Sequence, residues 1–265
     1  VEITRNIPLI LQLLFWYALL INLPRVKNSI AIGETFFLNN RGFLSPQPIY
    51  GDNFIFVTAA IIIAIVGSVL FTRWAKRKQE ETGKQYPLFL INAASIILFP
   101  IIIYFISGSP LDFERPVLKG FNFVGGMQMP PEFVAMFLGL SIYTASFISE
   151  IVRAGILSVG KGQIEAAKSI GLKQNVIMNL IIIPQALRVI VPPLTSQFLN
   201  LTKNSSLGIA IGYADLVHGF GGISLNQTGQ AIECMAIVMA TYLTISLSIS
   251  FFMNIYNRAI QLEGR

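Results

Sequence analysis

The sequence predicts an all-α protein, a polytopic membrane helix bundle, on three observations. Of its 265 residues 54% are hydrophobic and 12% charged, with a mean hydropathy of +0.65, where soluble domains carry about a quarter charged residues. The apolar residues are gathered into runs close to the ~20 residues that a membrane helix needs. The lysines and arginines fall in the short stretches between those runs, the pattern that holds loops on the cytoplasmic side. Topology therefore accounts for the net charge of +6, and nucleic acid is not implied as a partner. One cysteine, Cys234, and one histidine, His218, supply neither a disulfide framework nor a metal site.

Residues 7–23 form the first apolar run, bounded by Arg5 on one side and Pro24, Arg25 and Lys27 on the other, and read as a span. Pro8 is tolerated in its first turn, where amides lack internal partners. Gln12 either packs against another helix through a hydrogen bond or lines the path of a polar solute. Residues 25–53 are rich in turn formers and read as a long loop. Two clean apolar runs follow, 54–72 and 88–107, joined by RWAKRKQEETGK. That linker holds Arg73, Lys76, Arg77, Lys78 and Lys84 near the membrane ends, which places it in the cytoplasm and loops 25–53 and 108–131 outside. The run 134–157 then leads inward and delivers Lys161, Lys168 and Lys173 to the cytoplasm. Residues 177–199 return outward and 230–256 run inward, leaving 257–265 as a short cytoplasmic tail. No internal repeat, low-complexity tract or soluble second domain is visible.

Between two of these runs lies SVGKGQIEAAKSIGLKQNVIMNLIIIPQALRVIVPP, residues 158–193. Glu165, Ala166, Ala167 and Lys168 favour a short helix over 163–170, and Gly171 stands where a helix stop tolerates positive φ. The two alanines keep one face low in relief, with Glu165, Lys168 and Lys173 as a charged rim open to another protein. Residues 155–162, GILSVGKG, nearly spell a phosphate-binding loop. They lack the final hydroxyl and follow an apolar helix where a strand is needed. The glycines are expected to break the span instead.

The spacing Glu165-Ala166-Ala167, three residues, Gly171, nine residues, Ile181, one residue, Ile183, Pro184 resembles the EAA signature of ABC importer permease subunits, E-A-A-x3-G-x9-I-x-L-P. Ile183 replaces the usual leucine. The flanks resemble the polar amino-acid uptake branch, so the likeness covers at least 131–256. EITRNIPLILQLLFWY looks like the family's R-x-x-P-L-L-x-Q motif, and FFLNNRGF, 36–43, resembles a subgroup with extra spans inserted in the core. The resemblance implies one transmembrane permease domain over 1–265, with 54–107 as an extra helical pair and N-terminal span or spans missing. It further implies a membrane-spanning subunit of an ATP-driven importer for amino acids, polar ones by the branch's name, forming half of the translocation pathway. The segment 163–171, with Glu165, Ala166, Ala167, Lys168 and Gly171, would dock on a separate ATPase. Implied partners are two ATPase subunits, a second permease that is a related but different chain, an extracytoplasmic solute-binding protein and membrane lipid. The chain itself would catalyse no bond change and hold no cofactor, ATP and Mg residing on the ATPase. Its place would be the bacterial inner membrane, multi-pass, with a cytoplasmic C-terminus.

The proline-bearing run after the signature suggests a solute path. Pro184, Pro192 and Pro193 each remove a helix amide, so kinks or unwinding are expected. Arg188 must face an interior or the interface, with Glu150 as its expected partner. Downstream, Thr202, Lys203, Asn204, Ser205 and Ser206 can hydrogen-bond the ends of an amino acid, and they resemble the family's K-[DN]-[ST]-S-L segment on the translocation path. Glu233, just inside the last run, would meet an ammonium or guanidinium group or neutralise Lys203. Each of these residues could equally serve packing alone. An ion-coupled secondary transporter of amino acids or other small polar solutes is the rival reading, although it would have no use for a docking helix.

Overall fold

The computed structural model describes residues 1–83 and 86–262. Among them five helical stretches are long and apolar enough to cross a membrane: Phe54–Thr82, Leu88–Ile106, Pro131–Leu157, Gln174–Ile211 and Ala231–Gln261. The chain divides into two compact units. One holds residues 1–30, 38–43 and the described part of 129–265, and the other holds 31–37 and 44–128.

The second unit is built on a hairpin of two helices, α3 (Phe54–Thr82) and α4 (Leu88–Ile106). Val57, Ala60, Ala64 and Ala75 are buried on α3 at the three- and four-residue spacing of one helical face, and small residues there let α4 come close. Asn92 donates through Nδ2 to Oγ1 of Thr72 at 2.7 Å and ties the two helices together. Strand β1 (Gln47–Tyr50) pairs antiparallel with β2 (Leu111–Glu114), Gln47 opposite Glu114 and Tyr50 opposite Leu111. The two stretches expected as loops thus meet at one end of the hairpin. A second small ribbon joins Val117–Lys119 to Asn122–Val124.

One expectation changes here. The basic stretch after residue 72 is not a linker, because α3 runs on as helix to Thr82 and stops at Gly83, whose φ is +69°. Its residues are good helix formers, and polarity alone does not end a helix that can leave the bilayer. Lys84 lies outside the described residues.

In the first unit α1 (Glu2–Asn6) and α2 (Leu9–Ile21) are separated at Pro8. Gln12 decides between its two readings: Nε2 donates to the carbonyls of Thr4 at 2.7 Å and Ile7 at 3.0 Å. It satisfies backbone groups that the break frees and ties α2 back to the short helix α1 before it, the packing reading of this glutamine. With 13 residues α2 is about 20 Å long, too short to cross a core of about 30 Å by itself. The expected span over 7–23 is corrected accordingly. Leu9, Leu13 and Leu20 of α2 share a buried cluster with Ala135 and Leu140 of α5 (Pro131–Leu157).

Helix α5 packs on α8 (Ile183–Asn204), and α8 packs on α10 (Ala231–Leu262), which the single turn α9 (Leu225–Thr228) precedes. The residues that enter α8 are α7 (Gln174–Ile177) and a wide π turn, Met178–Ile182. The π turn lies just before Pro184, whose missing amide and ring a regular turn could not accommodate. Pro192 and Pro193 lie within α8 without interrupting it. Unwinding comes later, as a 3-10 stretch, Ser205–Ile211, that ends at Gly212 with φ +75°. Residues 257–262, expected as tail, continue α10; 263–265 lie outside the described residues.

Candidate functional site

Helix α6 (Lys161–Ser169) occupies the connection between α5 and α7. Its inner face is set by Ile164 and Ala167, three residues apart, which pack with Val159, Ile177, Ile182, Ala186 and Ile190. The side-chain amide of Gln185 donates to that of Gln163, a second tie to α8. The helix ends in a Schellman motif. Leu172 N–H bonds the Ala167 carbonyl at 3.2 Å and Gly171 N–H bonds that of Lys168 at 2.9 Å, with Gly171 at φ +78° and Leu172 folding onto the same apolar cluster. The stop expected at Gly171 is therefore made, and its cause is conformational.

The outer face carries Glu165, Ala166, Lys168 and Ser169, all exposed. The structure divides the two alanines: Ala167 is 3% exposed and seats the helix on its own bundle, so it offers no outward surface, whereas Ala166 does. Sequence reasoning missed Ile170, which is 75% exposed at the end of this face. A large apolar side chain that projects beside a low-relief charged surface has the character of an anchor for a partner pocket. Its signal was present, as an isoleucine immediately before the helix-stopping glycine.

The near-match to a phosphate loop has no supporting structure. Gly155 lies inside α5, and a Cβ there would meet Cγ1 of Ile190 at 2.3 Å. This glycine permits α5 and α8 to approach and does not break the span. Arg188 and Glu150 do not pair. Glu150 is held by Arg153, Nε to Oε2 at 3.0 Å and Nη2 to Oε1 at 2.5 Å, because one helical turn brings those two together. Arg188 is exposed.

Of the expected path residues, Lys203 and Ser206 share a concavity of about 470 Å³ with Ile209, Val217, Val238 and Tyr242. That volume falls in the range of ligand clefts, about 300–1,000 Å³. The Ser206 hydroxyl donates to the Lys203 carbonyl at 2.7 Å and keeps its oxygen lone pairs for a donor. Thr202 and Ser205 also bond back to their own helix, to Phe198 at 3.1 Å and Thr202 at 2.8 Å, and neither lines this concavity; nor does Asn204. Glu233 is exposed in the first turn of α10. At 100° per residue it lies about 140° from Val238 and 180° from Tyr242, so it does not face Lys203. The tyrosine was overlooked. Its signal was its place eight residues after buried Cys234 and four after buried Val238, on one face of the last span.

The family described as binding-protein-dependent transport system inner membrane component matches residues 86–262. The chain belongs to this family. The permease protein YhdX of Escherichia coli strain K12 is 51% identical over 266 residues, covering 100% of this chain and 68% of that protein. The general L-amino acid transport system permease protein AapQ of Rhizobium johnstonii is 48% identical, with 100% and 66% covered. The glutamate/glutamine/aspartate/asparagine transport system permease protein BztB of Rhodobacter capsulatus is 42% identical, with 100% and 69% covered. This permease chain thus spans about two thirds of the length of these relatives. Membership in a binding-protein-dependent family leaves the ion-coupled alternative without support.

Proposed function

We propose that this permease is the membrane-spanning subunit of an ATP-driven importer for amino acids, forming half of a pathway whose other half is a related but different permease chain. Polar amino acids are the favoured solutes, since BztB is named for glutamate, glutamine, aspartate and asparagine. Lys203 at its concavity suits the carboxylate such solutes carry. An extracytoplasmic binding protein delivers the solute, and two ATPase subunits that carry ATP and Mg supply the work. The permease makes and breaks no bonds. Its part is to present α6 to an ATPase and to convert that helix's displacement into rearrangement of α5 and α8, on which α6 is seated. The positive charge of Lys161, Lys168 and Lys173 supports a cytoplasmic position for this connection and, after one further pair of spans, for the C-terminus.

The observation that carries the proposal is a short helix held firmly on its inner face and exposed along the other, in a chain of this family. Co-purification with the ATPase tests it. Glu165→Arg reverses the charge of the outer face and is expected to abolish co-purification while the permease stays in the membrane. Undiminished recovery of the ATPase with this variant, and with Ile170→Asp, would overturn the docking role.

A further inference from the structure

The α3–α4 hairpin has a feature on which the proposed function does not draw. A groove of about 360 Å³ runs between the helices, lined on α3 by Ile63, Ala64, Gly67, Ser68 and Phe71 and on α4 by Ile91, Asn92, Ser95 and Phe99. Nothing lies within 4 Å of a Cβ placed on Gly67, so the floor of the groove is open. Beyond Phe71 an aromatic group takes over: Phe71 to Trp74 at 5.7 Å between ring centroids, and Trp74 to Tyr86 at 5.8 Å. The Lys78 ammonium stands 5.2 Å over the Trp74 ring.

These parts are in line. At 100° per residue, Gly67, Phe71, Trp74 and Lys78 fall within about 60° of one another on α3. Along the axis Lys78 is about 16 Å from Gly67, close to half the ~30 Å hydrocarbon thickness and so to one leaflet. The order from Lys78 inward is cation, aromatic belt, polar Asn92 and Ser95, then apolar floor, which is the order of groups in a phospholipid. Arg77 is exposed beside Lys78 and adds positive charge. The acid one turn on, Glu81, makes no ion pair with Lys78 among the described residues, so Lys78 keeps its charge for an outside partner.

We infer that this groove is a binding site for one anionic phospholipid, its headgroup at Lys78 and an acyl chain laid along Gly67 between α3 and α4. Charge complementarity selects the occupant: a second helix would fill the apolar floor but leave the cation unmatched, and a zwitterionic lipid brings a phosphate whose charge its own ammonium group offsets. The ammonium also serves as an interfacial anchor, and such a role alone would give no preference for headgroup charge.

Native mass spectrometry of the full-length permease with its partner subunits, released from detergent in the presence of phosphatidylglycerol or phosphatidylcholine with the same acyl chains, tests the site. Wild type is expected to retain phosphatidylglycerol about fivefold more, the contribution of one lysine near an anionic surface. Lys78→Gln should bring the ratio towards one, Lys78→Arg should keep it, and Arg258→Gln, at the far end of α10, should not alter it. Gly67→Leu fills open space and should lower retention of both lipids. Equal retention in wild type, a ratio untouched by Lys78→Gln, one lowered as much by Arg258→Gln, or retention untouched by Gly67→Leu overturns the inference.

Discussion

At the scale of single residues the chain shows how little separates a structural glycine from a motif. Gly155 looks like the start of a phosphate loop, yet a Cβ placed on it would meet Cγ1 of Ile190 at 2.3 Å, Cδ1 at 2.9 Å and the Ala186 carbonyl oxygen at 3.3 Å. Ile190 is β-branched and stiff at χ1, so it cannot swing clear of an added methyl group without moving α8. Gly155→Ala is therefore expected to destabilise the permease by about 1–3 kcal/mol, the usual cost of overpacking. A thermal unfolding midpoint in detergent reads it. Adding Ile190→Ala to that variant removes the colliding atoms and should recover part of the loss, whereas a phosphate-binding role would leave stability indifferent to both changes. Gly171 is constrained differently, by φ +78° with nothing near its Cβ; there the backbone and not the space demands glycine.

At the scale of elements, the legible features were those decided locally. The short helix around Glu165 and its stop at Gly171 follow from propensity and from the one residue type that enters the left-handed region cheaply. Which alanine faces inward was not legible, because 166 and 167 are adjacent and equally small. The direction of the face is set by Ile164 and Leu172 docking on α7 and α8, which is a tertiary fact. Likewise α2 read as a span because its apolar run is continuous, and only the break at Pro8, fastened by Gln12, shows that it starts afresh. The division of the alanines yields a test with opposite outcomes. Ala167→Arg forces a long cation into a position 3% exposed and should lower the unfolding midpoint, at a cost of about 3 kcal/mol or more. Ala166→Arg stays in water and should change stability by no more than about 0.5 kcal/mol, while abolishing recovery of the ATPase. Equal loss of stability in the two variants would mean that α6 is not seated as described.

At the scale of the whole molecule, the sequence supports the membrane bundle strongly and the solute path weakly, for a physical reason. Spans depend on summed hydrophobicity over ~20 residues, whereas a path depends on which few polar groups converge from separate helices. The block 200–206 carries three hydroxyls, on Thr202, Ser205 and Ser206, and each is spent on a carbonyl three or four residues back. Lys203 and Ser206 reach the concavity, where Tyr242 joins them from a helix some forty residues later; Glu233, the acid the sequence singles out, is turned away. Under the proposed function Lys203 is the cation that meets the solute carboxylate, in a charge-assisted bond worth about 1.5–3 kcal/mol. Replacing it by glutamine should raise the transport KM for a carboxylate-bearing solute by about tenfold or more, with membrane insertion and ATPase recovery unchanged. Glu233→Gln, lying about 140° or more around α10 from the concavity-lining Val238 and Tyr242, should shift KM by no more than about twofold. Uptake into proteoliposomes containing the full complex distinguishes the two. A larger effect at 233 than at 203 would move the solute path from the α8–α10 concavity to the opposite side of the last span.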